Sequence, residues 1–169
     1  RFAPVVVHQV RDDFRVGLRG ERVAQGLQAR ALGLDHPTLV WGGEKPASGL
    51  QERAREARVD NVRTVLCTER SVELPAGSID LAFLCDVYHH FEYPQHSLAS
   101  IHKALRRNGD LFVVDFKRIP GVSSEWILNH VRAGQEEVTR EIESAGFRKV
   151  EELTFLKDNW VVRFRKAGR

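Results

Sequence analysis

Three residues with chemically useful side chains follow one apolar run of the sequence. Asp86, His89 and His90 come directly after residues 79–85 (IDLAFLC). A carboxylate or an imidazole can accept or deliver a proton, so this group predicts a site for proton transfer or ligand contact. A structural role is the alternative: Asp86 can cap the helix that follows, and the histidines can pack where that helix begins.

The two adjacent histidines do not by themselves predict a metal site. Neighbouring side chains on one turn of helix point apart, and no Cys or carboxylate completes a set at ligand spacing. Cys67 lies near the end of another apolar segment, where a cysteine is inert packing more often than a nucleophile. We therefore expect no metal ion in this protein.

One β-α-β unit positions the candidate residues. Residues 79–85 and 110–116 are apolar runs bounded by turn residues, which is typical of strands buried on both faces. Residues 94–107 space their apolar side chains like a helix, and a turn at 108–109 follows. Ligands of such helix-covered sheets lie beyond the carboxyl ends of the strands, where Asp86, His89, His90 and Asp115 all fall. For Asp115, loop capping and ligand contact both remain open.

The remaining segments continue the α/β pattern. Helical patterns occur at residues 19–32, 51–57, 123–134 and 134–147. Strand patterns occur at residues 5–10, 38–41, 62–68, 148–156 and 160–167. The last two strands read as an antiparallel hairpin at a sheet edge. The sequence therefore predicts an α/β fold: a mostly parallel sheet flanked by helices, with a C-terminal antiparallel hairpin.

Composition limits the classes of function. A chain of 169 residues fits a single domain that buries its own core. Its formal net charge of +3 is too small to indicate a nucleic-acid partner, and its apolar runs are too short to span a membrane. Two cysteines are too few for a disulfide framework, so we expect a reduced, cytoplasmic protein.

Three segments in a fixed order carry a resemblance to a known family. They are ELPAGSIDLAFLCDVYHHF (73–91), SLASIHKALRRNGDLFVVDF (97–116) and EVTREIESAGFRKVEE (137–152). Over about residues 50–167 the chain resembles the class I S-adenosylmethionine-dependent methyltransferases, in particular the type 11 branch with the ubiquinone/menaquinone-type enzymes. The resemblance implies a Rossmann-like fold in a single domain, residues 1–169, with a poorly matched region at 1–49 and a recognisable core at 50–169.

The resemblance also implies a function. It is methyl transfer from S-adenosylmethionine to a small-molecule acceptor, with no nucleic-acid or membrane partner. Carried over by position, Thr68 and Glu69 lie near the adenosine of the cofactor. Asp86 lies near its methionine part or the acceptor, and His89 and His90 line the acceptor side. Asp86, His89 and His90 are therefore the predicted catalytic residues.

The sequence departs from the family upstream of this core. The family's first strand ends in an acidic-Gly-x-Gly-x-Gly loop at the cofactor, and its second strand ends in an acid for the ribose hydroxyls. Residues 17–20 (GLRG) lack that spacing, Gly42 and Gly43 come too late, and Asp35 is the only stand-in for the ribose acid. The missing loop favours an alternative, a non-catalytic methyltransferase-like protein that binds a metabolite or a protein partner. The retained segment at 86–90 favours the enzyme.

Overall fold

The structure is a computed structural model that describes residues 5–8, 38–42, 55–56, 58 and 63–167. Within these ranges seven strands form one sheet in the order β3-β2-β1-β4-β5-β7-β6. The strands are β1 (Val5–His8), β2 (Thr38–Gly42), β3 (Arg63–Cys67), β4 (Ile79–Cys85), β5 (Leu105–Phe116), β6 (Phe147–Leu153) and β7 (Asn159–Lys166). The predicted strands are thus present, and β4 has the predicted bounds.

The sheet is mixed: five of its seven strands run in one direction, and β1 and β7 run in the other. β2 pairs with β3 and β4 pairs with β5 in parallel, whereas β7 runs antiparallel to both β5 and β6. β1 runs antiparallel to both of its neighbours, β2 and β4. The predicted α/β sheet with a C-terminal antiparallel hairpin is confirmed. β1 adds a reversed strand in the middle of the sheet that the sequence did not predict.

Helices cover one face of the sheet. A 3₁₀ turn (Tyr88–His90) follows β4, and three α-helices follow it: α1 (Pro94–Ala104), α2 (Glu125–His130) and α3 (Gln135–Ser144). The apolar sides of α1 and α3 pack on the sheet in one core that contains Leu98, Ile101, Leu84, Leu111, Val113, Val138 and Ile142. A smaller cluster contains Leu81, Phe83, Phe112, Val114 and Val161. Both clusters draw on β4, β5 and β7, so these strands form the middle of the core.

α1 ends, and β5 begins, at an earlier residue than the sequence pattern predicted. α1 ends at Ala104, and β5 begins at once at Leu105, whose side chain is fully buried. The pairing of β4 with β5 then jumps from Ile79↔Leu105 to Leu81↔Asp110, so the predicted turn at 108–109 becomes a bulge within the strand. A Cβ on Gly109 would meet the backbone oxygens of Arg106 and Asp80 at 3.0 Å, which explains the glycine there.

The later helices follow the sequence patterns closely. Ser124 caps α2, because its hydroxyl accepts a hydrogen bond from the backbone N–H of Ile127. α3 buries Val138 and Ile142 and is followed by Gly146 at φ +92°, in the left-handed region that favours glycine. The predicted helix at 19–32 lies outside the described residues, and of the one at 51–57 only residues 55–56 are described, as helical.

None of the helices in the described ranges combines the length and the apolar character that crossing a bilayer requires.

We expect the replacement of Ile101 by Ala to lower the free energy of unfolding by about 2–5 kcal/mol. Ile101 is fully buried between α1 and the sheet, so Ala leaves a cavity there. Urea unfolding followed by circular dichroism measures the change. Val122→Ala is the control, because Val122 is 78% exposed and its truncation should change stability by less than about 0.5 kcal/mol. Equal losses in the two variants would contradict the core described above.

Candidate active site at the carboxyl ends of β4 and β5

Asp115 orients His89 across two neighbouring strands. Asp115 lies near the end of β5 and is 2% exposed, and the side chain of His89 is equally inaccessible. The carboxylate accepts hydrogen bonds from the backbone N–H of His89 (3.1 Å), from Nδ1 of His89 (2.7 Å) and from the backbone N–H of Phe116 (2.8 Å). Because a carboxylate only accepts, Nδ1 of His89 donates, and in the neutral ring Nε2 then carries the lone pair. The buried ring is therefore fixed in orientation and tautomer.

Asp86 is the first residue after β4, and its backbone is in the left-handed region at φ +52°. Its backbone N–H donates to the carbonyl of Val114 (2.9 Å), and its Oδ1 accepts from Nδ2 of Asn159 (2.7 Å). The carboxylate caps neither helix that follows, since neither the 3₁₀ turn nor α1 has a side-chain cap. The capping alternative for Asp86 is therefore wrong, and its carboxylate is held at the edge of the sheet.

The proton affinity of Asp86 is set by its surroundings. Although the residue is exposed at its surface, enclosure by protein atoms raises the pKa of its carboxyl to about 6. The nearby charge of Asp115 adds to this rise, and His89 and the hydrogen bond from Asn159 oppose it. Asp86 can therefore exchange a proton close to neutral pH.

A third histidine joins the predicted pair. His130, at the end of α2, lies against both rings, with centroids 5.1 Å from His89 and 4.9 Å from His90. The rings of His89 and His90 are themselves 4.1 Å apart, so the expectation that these neighbours point apart is wrong. The rings of His89 and His90 therefore both contact His130 on α2. Burial first, and then the closeness of His89 and His130, lowers the pKa of His90.

The segment between β5 and α2 positions the end of the helix that carries His130. Arg118 donates from Nε to the carbonyl of Val131 (2.9 Å) and from Nη2 to that of Leu128 (3.0 Å), which ties the end of α2 to the chain after β5. Trp126 stacks on His130 with centroids 4.5 Å apart, and Phe116 meets the edge of Trp126. The histidine cluster is thus bordered by an aromatic wall.

The predicted adenosine residues lie farther along the same edge. Thr68 and Glu69 are exposed and follow β3, and the Glu69 carbonyl accepts a hydrogen bond from Oγ of Ser97 on α1 (3.1 Å). β2 and β1 separate β3 from β4, so the strands that these residues and Asp86 follow are three spacings apart, or about 14 Å at about 4.8 Å per spacing. The structure therefore places the two groups at one sheet edge without bringing them into contact. Asp35 lies outside the described residues.

The two cysteines are free and half-buried. Burial raises the pKa of Cys67 to about 12, with a further contribution from the charge of Glu73. Burial also raises the pKa of Cys85 to about 12, with further contributions from Asp86 and Asp115. Both remain protonated at neutral pH, which agrees with the prediction that Cys67 is inert packing.

The sequence itself matches a family model over the first part of the region that carries this geometry. The model described as "Methyltransferase domain" matches residues 23–113, just over half of the chain. The chain belongs to this methyltransferase family. The matched part of the methyltransferase domain includes β4, Asp86 and the pair His89-His90. It begins upstream of the boundary near residue 50 that the resemblance suggested.

Solved structures share the fold. A SAM-dependent methyltransferase from Aquifex aeolicus aligns with a TM-score of 0.69 at 18% identity, over 77% of this chain and 68% of that one. The [4+2]-cyclase SpnF aligns with a TM-score of 0.68 at 13% identity, over 95% of this chain and 86% of that one. At these identities the likeness concerns the fold alone, which is the Rossmann-like fold that the resemblance implied. Since one of the two is named a cyclase, the fold does not fix the reaction.

A curated relative matches a short segment. The tRNA(Ile)-lysidine synthase of Bradyrhizobium sp. (strain BTAi1 / ATCC BAA-1182) is 54% identical over 46 residues, which cover 25% of this chain. The match covers only 13% of that synthase, so this chain spans a small part of the relative's length.

We expect Asp86→Asn to gain stability relative to the natural protein as the pH rises. The folded-state pKa of Asp86 is raised to about 6, so its ionisation opposes folding above that pH, and below about pH 4 the group is protonated in both states. Asn mimics the neutral form and tolerates the left-handed backbone. Because Asp86 is exposed, we expect an effect of at most about 1 kcal/mol.

Urea unfolding of both proteins at about pH 4 and about pH 7.5 measures this difference. Val122→Ala, an exposed change that removes no titratable group, is the control and should give the same difference at both pH values. The assignment to Asp86 is contradicted if the Asn variant gains nothing at the higher pH.

Proposed function

We propose that this chain transfers a methyl group from S-adenosylmethionine to a small-molecule acceptor at the carboxyl ends of β4 and β5. Membership of the methyltransferase family supports the type of reaction. The observation that carries the proposal is the placement of Asp86. Enclosure raises the pKa of its carboxyl to about 6, and the residue follows the central strand β4, close enough to His89 for the two groups to interact electrostatically. Such a group can take a proton from a nucleophile near neutral pH.

The described residues fit the chemistry of the cofactor. S-adenosylmethionine supplies an electrophilic methyl group on a sulfonium and carries an ammonium group and ribose hydroxyls. The exposed carboxylates of Glu69 and Asp86, about three strand spacings apart, complement these groups by charge and by hydrogen bonding. In the proposal Thr68 and Glu69 hold the adenosine, and Asp86 meets the methionine part or the acceptor. Asp35 stays a prediction for the ribose hydroxyls.

The chain's own residues act mainly by positioning. Methyl transfer requires a nucleophile held in line with the methyl group, so the shape of the acceptor pocket contributes most of the catalysis. Asp86 takes the proton of the nucleophile, and His89, fixed by Asp115, lines the acceptor side together with His90. The exposed face of Trp126 beside His130 favours an acceptor with an apolar or aromatic surface.

One observation favours a second candidate function, the non-catalytic binding of a metabolite or a protein partner. β1 runs antiparallel to β4, so the chain leaves β1 at the edge of the sheet opposite to Asp86. In the family the cofactor loop follows the first strand. β1 of this chain therefore does not lead such a loop to the edge where Asp86 lies.

The proposal includes a cytoplasmic location, without a nucleic-acid or membrane partner. Two free cysteines with protonated thiols support a reducing compartment. Acids and bases also pair with each other on the surface, as Arg106 does with Asp80 and Arg132 with Glu141. Such pairing supports a small molecule over a polyanion as the partner.

Isothermal titration with S-adenosylmethionine, and with its demethylated product, tests cofactor binding. We expect saturable binding of both, weakened at least about tenfold in Asp86→Asn because a charged hydrogen bond to the cofactor is lost. Glu136→Gln should bind like the natural protein. Absence of binding at about 1 mM cofactor would leave only the non-catalytic alternative.

Release of S-adenosylhomocysteine in the presence of phenols, thiols and amines tests the transfer itself. We expect release with at least one acceptor and much slower release with Asp86→Asn, since Asp86 takes the proton of the nucleophile. If the cofactor binds tightly but no class of acceptor leads to release of S-adenosylhomocysteine, the non-catalytic function is favoured.

A further inference from the structure

Three imidazoles converge at the end of β4 in a geometry close to that of a metal site. One ring nitrogen from each of His89, His90 and His130 lies within 4.8 Å of the other two. In a tetrahedral zinc site with Zn–N bonds of about 2.0–2.1 Å, the ligand nitrogens are about 3.4 Å apart. Closure therefore needs movements of at most about 1.4 Å between any two nitrogens. His130 is exposed and His90 is only partly buried, so both rings have room to move.

His89 already has the environment of a metal ligand. Its Nδ1 donates to the buried carboxylate of Asp115, which fixes the ring and leaves Nε2 free to bind. A carboxylate behind a histidine is the usual support of a metal-bound imidazole, because it sets the tautomer and makes the ring a stronger donor. The negative charge of Asp115 also favours a cation in front of the ring. Packing of aromatic rings alone requires no such carboxylate.

We propose that His89, His90 and His130 bind a divalent transition-metal ion, with zinc as the first candidate. Imidazole suits zinc, copper, nickel and cobalt, and three protein ligands leave a tetrahedral ion one position for water or for a ligand heteroatom. The ligand class is therefore a small molecule with a hydroxyl or thiol group, held close to Asp86. The site replaces the sequence expectation of no metal, which did not take His130 into account.

This site does not depend on the proposed methyl transfer, because its test needs neither cofactor nor acceptor. The probe is Co²⁺, added to the full chain purified without a histidine tag. Tetrahedral Co²⁺ bound to imidazoles absorbs visible light far more strongly than hydrated Co²⁺. We expect the strong bands to appear with one equivalent of metal and to be removed by Zn²⁺, which prefers the same geometry.

Two matched variants test which residues hold the ion. His130→Phe keeps an aromatic ring to stack on Trp126 but has no ligand nitrogen, and it should weaken Co²⁺ binding by more than about tenfold. His96→Phe makes the same exchange at an exposed position on α1 and should bind like the natural protein. Asp115→Asn, a change to a positioning residue, should weaken binding by about 10–100-fold while the three ligands remain.

If no intense visible bands form at about 1 mM Co²⁺, the three histidines form aromatic packing only and the proposal is overturned. It is also overturned if His130→Phe binds Co²⁺ as tightly as the natural protein, since other histidines would then hold the ion. Circular dichroism of each variant establishes that loss of binding is not loss of fold.

Discussion

The contact between Asp115 and His89 is the interaction on which the rest of the site depends. A buried carboxylate is stable in a protein only when donors surround it, and Asp115 has three, two of them from His89. These bonds link the end of β5 to the turn after β4. The register in which the two parallel strands pair therefore determines how the imidazole ring of His89 is oriented. His90 and His130 then pack against a ring that cannot rotate.

The carboxylates of Asp115 and Asp86 lie at the same edge of the sheet but in different surroundings. Asp115 is almost inaccessible to solvent and has three donors, whereas Asp86 reaches solvent and receives side-chain hydrogen bonds from Asn159 and from the Cys85 thiol. Enclosure and the neighbouring charge therefore act on the proton affinity of Asp86, whose pKa rises to about 6. A carboxyl group that can exchange a proton close to neutral pH is typical of sites that move protons. The left-handed backbone at Asp86 is consistent with a residue placed for such a role.

The part of this arrangement that depends on local sequence could be predicted. β4 runs from Ile79 to Cys85 as its apolar pattern indicated, and α2 and α3 lie within the segments that have a helical pattern. Two contacts could not be predicted, because they join residues far apart in the chain. Asn159 reaches Asp86 across 73 residues, since β7 pairs with β5, and His130 reaches the histidine pair through the packing of α2. The end of α1 also differed, because burial of Leu105 in β5 outweighed the helical pattern that continues to residue 107.

The two halves of the sheet edge are arranged by different side-chain contacts. The half formed by β4, the 3₁₀ turn, β5, α2 and β7 is held together by its own contacts: Asp115 with His89, Asn159 with Asp86, and Arg118 with the end of α2. None of these contacts involves β1, β2 or β3. The reversed direction of β1 therefore affects how a cofactor reaches the edge, but leaves the histidine cluster and Asp86 unchanged. A ligand that needs only this half, such as a metal ion on three imidazoles, can bind whether or not the other half accommodates S-adenosylmethionine.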